Sequence, residues 1–297
     1  MDIAITGASG MIGTELTASL SKAGHRVVAL VRRAPKAGSD EIRWDPAGGT
    51  IDAASLEGID AVVHLAGAGI GDKRWTDERK KLVLDSRVDG TTLIATTLAG
   101  LDRKPSVFVS ASAIGFYGSP GEFDESSPPG SGFLADVTVA WEAAAQPAID
   151  AGIRTPLART GIVLSPKGGS LKTQLPLFKL GLGGKFGPGT QWLSWISLAD
   201  EVRALEHLLT SDLSGPANLC SPNQVTNETF TKTLGAVLNR PTFIPVPLFG
   251  PKLLFGQEFV DEMILASQKI APTVLLADGF EFETPELEPA LRKMLGR

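Results

Sequence analysis

The sequence is poorest in the residues from which metal and redox centres are built. Of 297 residues, one is cysteine (Cys220) and three are histidine (His25, His64 and His207), far apart along the chain. One thiol cannot close an internal disulfide, and three scattered imidazoles lack ligand spacing, so a disulfide scaffold is excluded and no metal site is expected. Tyrosine is just as scarce, Tyr117 being the only one. No apolar run reaches the roughly 18 residues that span a bilayer. The opening Met1-Asp2-Ile3-Ala4-Ile5 enters an apolar run without a basic segment, so no signal peptide is expected and a cytoplasmic setting is the default. Positive charge is not in surplus either: the net charge of −5 argues against binding nucleic acid through bulk electrostatics. Neither nucleic acid nor membrane is expected as a partner, and the oligomeric state is left open.

What is present describes an ordered α/β protein. Hydrophobic residues make up 43% and charged residues 21%, which excludes disorder as the main state. At about 150 residues per domain the length suits two domains. Apolar strand-like runs at 3–6, 26–31, 61–65, from 106, and 154–159 alternate with helical spacing at 11–23, 76–98 and 134–149. Continuous apolar strands separated by helices imply a parallel sheet covered on both faces, hence a Rossmann-type doubly wound sheet. After about Gly161 the texture becomes glycine-rich, and 226–297 carries two helical patterns separated by Pro241 to Pro251. The expected division is a dinucleotide-binding domain at 1–160 and a smaller α/β substrate-side domain at 161–297, with an approximate boundary and segments free to interleave.

The first loop carries the strongest chemistry. Gly7-Ala8-Ser9-Gly10-Met11-Ile12-Gly13 follows a strand and opens a helix. The first glycine suits a tight turn, the second lets main-chain N–H groups approach a pyrophosphate, and the third permits close helix–strand packing. The helix N-terminus adds partial positive charge for the phosphates. Strand two ends at Val31-Arg32-Arg33. An acidic side chain there suits the ribose hydroxyls of NAD, whereas a guanidinium suits a 2′-phosphate, so NADP(H) is the expected cofactor.

The Gly-x-x-Gly-x-x-Gly spacing, the strand and turn Asp60 to Gly67, and Ser110-Ala111-Ser112 together resemble the extended short-chain dehydrogenase/reductase family. Arg74-Trp75, Asp85-Ser86-Arg87-Val88, Trp141-Glu142, Arg159-Thr160-Gly161, Trp195 to Asp200 and Gly279 to Phe282 extend the likeness over the whole chain. With them the sequence is similar to nucleoside-diphosphate-sugar epimerase-like proteins that end in a domain of unknown function. The resemblance implies that Leu65, Ala66, Gly67, Ser110, Ala111 and Thr138 border the cofactor and that Arg87 reaches its phosphates; the alternative for Arg87 is a surface helix arginine.

Active relatives place Tyr-x-x-x-Lys on a helix, four-residue spacing stacking both groups on one face so that the ammonium lowers the phenol pKa. Here the corresponding positions hold Leu134 and Thr138, and no lysine occurs between Lys104 and Lys167. Ser112 and Tyr117 remain the candidate catalytic residues. Against them stand a strand-end hydroxyl bonded to backbone and a pocket-lining aromatic. Asp136 reads as a solvated acid, Glu142 as a structural carboxylate and His64 as a core histidine. The loop Gly181 to Gly189 with Trp192 and Trp195 reads either as a wall over the nicotinamide or as a structural loop; Gln174, Lys185 and Trp192 are further substrate-contact candidates. Phe243 to Phe249 reads as an inter-helix packing segment. Two functions stay open: an NADP-dependent epimerase or oxidoreductase acting on a small molecule such as a nucleotide sugar, or an NADP(H)-binding sensor or scaffold with little turnover.

Overall fold

The computed structural model describes residues 1–297. Apolar runs become strands β1 (Asp2–Thr6), β2 (Arg26–Val31), β3 (Glu41–Asp45), β4 (Thr50–Ile51), β5 (Ala61–His64) and β6 (Val107–Ala113), interleaved with helices α1 (Met11–Lys22) and α2 (Asp77–Ala99). The sequence pattern does not show β3, in which only Ile42 and Trp44 are buried. A short β7 (Gly121–Phe123) precedes α3 (Phe133–Ala143) and α4 (Gln146–Asp150). The continuous helical pattern over 134–149 is thus divided, with Pro147, which has no N–H to give, at the start of the second piece. The chain continues through β8 (Pro156–Thr160), β9 (Ile162–Leu164), α5 (Gly169–Lys179), β10 (Trp192–Leu193), β11 (Trp195–Ser197), α6 (Leu198–Thr210), β12 (Gly215–Leu219) and β13 (Val225–Thr226). It ends with α7 (Asn227–Leu238), α8 (Phe249–Phe255), α9 (Gln257–Phe259), β14 (Gln268–Ile270), α10 (Thr273–Ala277) and α11 (Leu287–Leu295).

Eight strands form the main sheet in the order β12-β8-β6-β5-β1-β2-β3-β4, all parallel except the terminal β4. Side chains of β1 alternate: Ile3 and Ile5 join α1 and α6 in one apolar layer, while Ala4 faces the other, with α2 and α4. Because both faces are covered, the sheet is a doubly wound Rossmann-type sheet in an α/β protein. Strand order reverses at β1, flanked by β2 on one side and β5 on the other, which opens a crevice above the strand ends. Residues 198–219 of the second half return to this sheet, α6 covering it and β12 forming its far edge. A separate apolar cluster gathers α5, α7, α11 and Trp195 into a smaller lobe. One expectation fails. The segment Phe243 to Phe249 does not pack between helices; Phe243, Ile244 and Phe249 project outward from a run interrupted by Pro241, Pro245 and Pro247.

Candidate functional site

The glycine loop crosses the crevice at the end of β1, and its geometry depends on the absence of side chains. A Cβ on Gly13 would lie 2.2 Å from the Gly7 carbonyl oxygen, and one on Gly7, whose φ is +69°, 2.9 Å from the Leu65 carbonyl carbon. The N-cap of α1 is Gly10, which has no side chain to cap with, so the first-turn N–H groups stay open beside exposed Ser9 and half-buried Ala8, Met11 and Ile12. Below, the buried Thr6 hydroxyl accepts hydrogen bonds from Leu65 N (3.1 Å) and Ala66 N (3.2 Å) and lies 2.7 Å from His64 Nδ1. That fixes the turn Leu65-Ala66-Gly67 against the loop. His64 is fully buried, and burial first and then the charge of Arg87 pull its pKa down to about 4, so it stays neutral.

Three arginines differ sharply in what they already hold. Arg33 grips Glu41 with both terminal nitrogens and the Ala34 carbonyl, and this guanidinium chiefly holds Glu41 down to about 2. Arg32 is exposed at the same strand end and makes no ion pair. Arg87 is buried on α2; its Nη1 donates to the carbonyls of Ala68 and Val83, its Nε has no partner, and no carboxylate faces it. Its Cζ would be 3.3 Å from a Cβ on Gly67. Burial, with help from the neighbouring charge of Arg79, pulls its pKa down to about 10. A desolvated cation without a counterion, against Gly67 in the turn that packs on the glycine loop, suits an anionic ligand. A glycine cradle that no Cβ can enter and an orphaned guanidinium N–H therefore fit the pyrophosphate of a dinucleotide.

The far end of the crevice is organised differently. Ser110 is buried in β6 with Ala111 half-buried beside it, and the Ser112 hydroxyl donates to Glu142 Oε1 at 2.5 Å. Arg159, from β8, holds both oxygens of Glu142 through Nε and Nη2, each at 2.8 Å. Its third arm, Nη1, donates to the Tyr117 hydroxyl (2.9 Å), which donates in turn to Asn218 Oδ1 (2.7 Å). The guanidinium also lies 3.5 Å from the Phe116 ring centroid. Burial pushes the Tyr117 phenol up to about 12, and its hydroxyl both accepts from Arg159 and donates to Asn218. Leu134 and Thr138 occupy one face of α3 near Gly115, and the Thr138 hydroxyl turns back to its own helix at Leu134 O (2.7 Å).

Four residues here have no role assigned from the sequence, although Arg159 stands in one of its motifs. Arg79 donates to the Gly69 carbonyl in the loop after β5. Arg159 and Asn218 complete the chain from Ser112; a charged residue inside the apolar strand Pro156–Thr160 is the signal that marks such a buried pair. Glu262, from the C-terminal region, accepts from Phe133 N (3.0 Å) and Leu134 N (2.9 Å), capping α3 across 128 residues of separation. Its cue is weaker, since Gly132 at the N-cap leaves the cap to come from elsewhere.

Comparison with known proteins bears on the whole of this architecture. Residues 3–220 match the NAD dependent epimerase/dehydratase family, and residues 246–294 match a domain of unknown function, DUF1731. An epimerase family protein of Mycobacterium bovis is 44% identical over 292 residues, covering 97% of this chain and 96% of that protein. The human epimerase family protein SDR39U1 is 36% identical over 301 residues, covering 99% and 100%. A crystal structure of the human protein with NADPH superposes with a TM-score of 0.91 at 35% identity, covering both chains fully. A UDP-glucose 4-epimerase of Thermotoga maritima with UDP-glucose shares the fold at 16% identity, with a TM-score of 0.77 and coverage of 100% and 98%.

Proposed function

The chain belongs to the NAD-dependent epimerase/dehydratase family, and from that premise we propose that it binds NADP(H) across the glycine loop and presents it to a small polar substrate of the nucleotide-sugar class. The observation that carries the reading is Arg87: a buried guanidinium without a carboxylate, against Gly67 in the turn that packs on the glycine loop. In this reading Gly7 to Gly13 and Arg87 hold the pyrophosphate, and Leu65, Ala66, Gly67, Ser110 and Ala111 border the nicotinamide half. Arg32 takes the 2′-phosphate, because Arg33 is already committed to Glu41. NADPH in the similar human protein supports the choice of the phosphorylated cofactor. When bound, the dinucleotide supplies a hydride donor or acceptor. Residues 1–160 are then the cofactor side and 161–297 mainly the substrate side, in a cytoplasmic protein.

A second reading, nucleotide binding with little turnover, is favoured by one observation. Leu134 and Thr138 stand where a proton-transferring pair is needed, and the Ser112 proton is already donated to Glu142. Calorimetry and a turnover screen separate the claims. NADPH is expected to bind more tightly than NADH, and Arg32→Ala to weaken NADPH while barely changing NADH. Equal losses for both cofactors contradict the 2′-phosphate assignment. Conversion of any of a panel of nucleotide sugars, with net cofactor consumption for an oxidoreductase or with the cofactor regenerated for an epimerase, and reduced by Ser112→Ala at unchanged NADPH affinity, establishes the enzyme reading; binding with neither sugar conversion nor cofactor consumption establishes the second.

A further inference from the structure

Six large apolar side chains stand well clear of the surface: Leu180, Phe243, Ile244, Phe249, Leu253 and Leu254 are 64–91% exposed, more than any other large apolar residue of the chain. All six lie in two stretches, 165–199 and 229–257. These stretches share a second property: together they carry seven lysines and arginines and no aspartate or glutamate, in a chain whose net charge is −5. The fold brings them side by side. Arg240 Nε donates to the Lys179 carbonyl (2.8 Å), Val246 N donates to the Lys185 carbonyl (2.9 Å), and Phe186 bridges Val246. Lys167 pairs with Glu15, and Lys185 and Lys232 share Glu228, but Lys172, Lys179, Arg240 and Lys252 make no ion pair.

We propose that this face docks peripherally on an anionic lipid surface. Exposed phenylalanine, leucine and isoleucine flanked by uncompensated lysine and arginine suit the boundary between acyl chains and phosphate headgroups, where long cationic side chains keep their charge in water. The apolar residues are protruding tips rather than the lining of a groove. Phe243 and Ile244 sit between Pro241 and Pro245, Leu180 ends α5, and α8 buries none of its residues. A peptide needs a concave receptor, which these tips do not form. A second copy of this chain placed on the same patch brings the same free cations face to face, and like charges repel. No helix is long and apolar enough to cross a membrane, so the contact is on the surface, in contrast to the absence of any membrane partner expected from composition.

Flotation of the full chain with phosphatidylcholine vesicles, with and without phosphatidylglycerol, tests this. Binding is expected to be at least about tenfold stronger to the anionic vesicles and to fall with added salt. Removing one cation, as in Lys179→Ala, is expected to cost about fivefold. The double variant Phe243→Ser with Phe249→Ser is expected to abolish flotation while NADPH affinity and melting temperature stay unchanged, because both side chains are largely in solvent. No flotation, equal binding to both vesicle types, or binding indifferent to the two serines overturns the proposal. So does a concentration-dependent dimer, or capture of an acidic peptide, that those serines abolish while vesicles bind nothing.

Discussion

Arg87 shows how a single side chain can be a stability liability and a functional asset. Its guanidinium is desolvated, donates to two carbonyls, and faces no carboxylate. Removing a buried cation that has no anion relieves its desolvation and offsets the loss of its two carbonyl hydrogen bonds and of its contact 4.9 Å from the Trp141 ring centroid, whereas removing half of a buried ion pair costs about 3–5 kcal/mol. Arg87→Met is therefore expected to leave urea stability unchanged or raised while weakening NADPH about 10- to 100-fold, the worth of a charge-assisted hydrogen bond. A loss of stability with intact affinity assigns Arg87 to the core instead. Glu142 is the opposite case, with both oxygens held by Arg159 and one also by Ser112. The spacing of Tyr-x-x-x-Lys makes its absence legible in sequence, but the pairing of Glu142 with Arg159 is not, because 17 residues and a strand–helix boundary separate them.

At the scale of elements, α1 and α3 are begun in contrasting ways. Both have glycine at the N-cap and so no side-chain cap of their own. The α1 terminus is left open, as an anion site requires. The α3 terminus is closed by Glu262, a carboxylate bridging two N–H groups at the positive end of the helix dipole. Glu262→Ala is expected to cost about 1–2 kcal/mol in urea unfolding, with Glu262→Gln milder because one acceptor remains. If alanine costs nothing, water caps the helix equally well. The helical pattern around Leu134 is readable from the sequence, whereas its cap comes from a region whose own pattern of short helices gives no hint of where it docks.

For the whole molecule, the crossing of the second half back to the sheet has an electrostatic consequence. Glu201 on α6 is fully buried; the Thr160 hydroxyl donates to its Oε1 (2.8 Å) and its Oε2 has no partner. Burial raises its pKa to about 8, against the opposing effect of Thr160. The folded state thus binds a proton that the unfolded chain releases near pH 4.5, so stability falls as pH rises from that value towards 8. Glu201→Gln, neutral throughout, is expected to raise stability at about pH 8 by a few kcal/mol and to flatten that slope in urea titrations. A slope unchanged by the substitution removes Glu201 as its source. The sequence by itself determined the α/β alternation, the glycine loop and the missing tyrosine–lysine pair, because periodicity, small-residue spacing and residue identity are local properties. Only the tertiary structure decided that Arg33 is spent on Glu41 while Arg32 is free, that Tyr117 is locked between Arg159 and Asn218, and that Phe243 faces outward. Each depends on which distant groups share one small volume, and burial and pairing, unlike periodicity, are properties of that volume rather than of the chain.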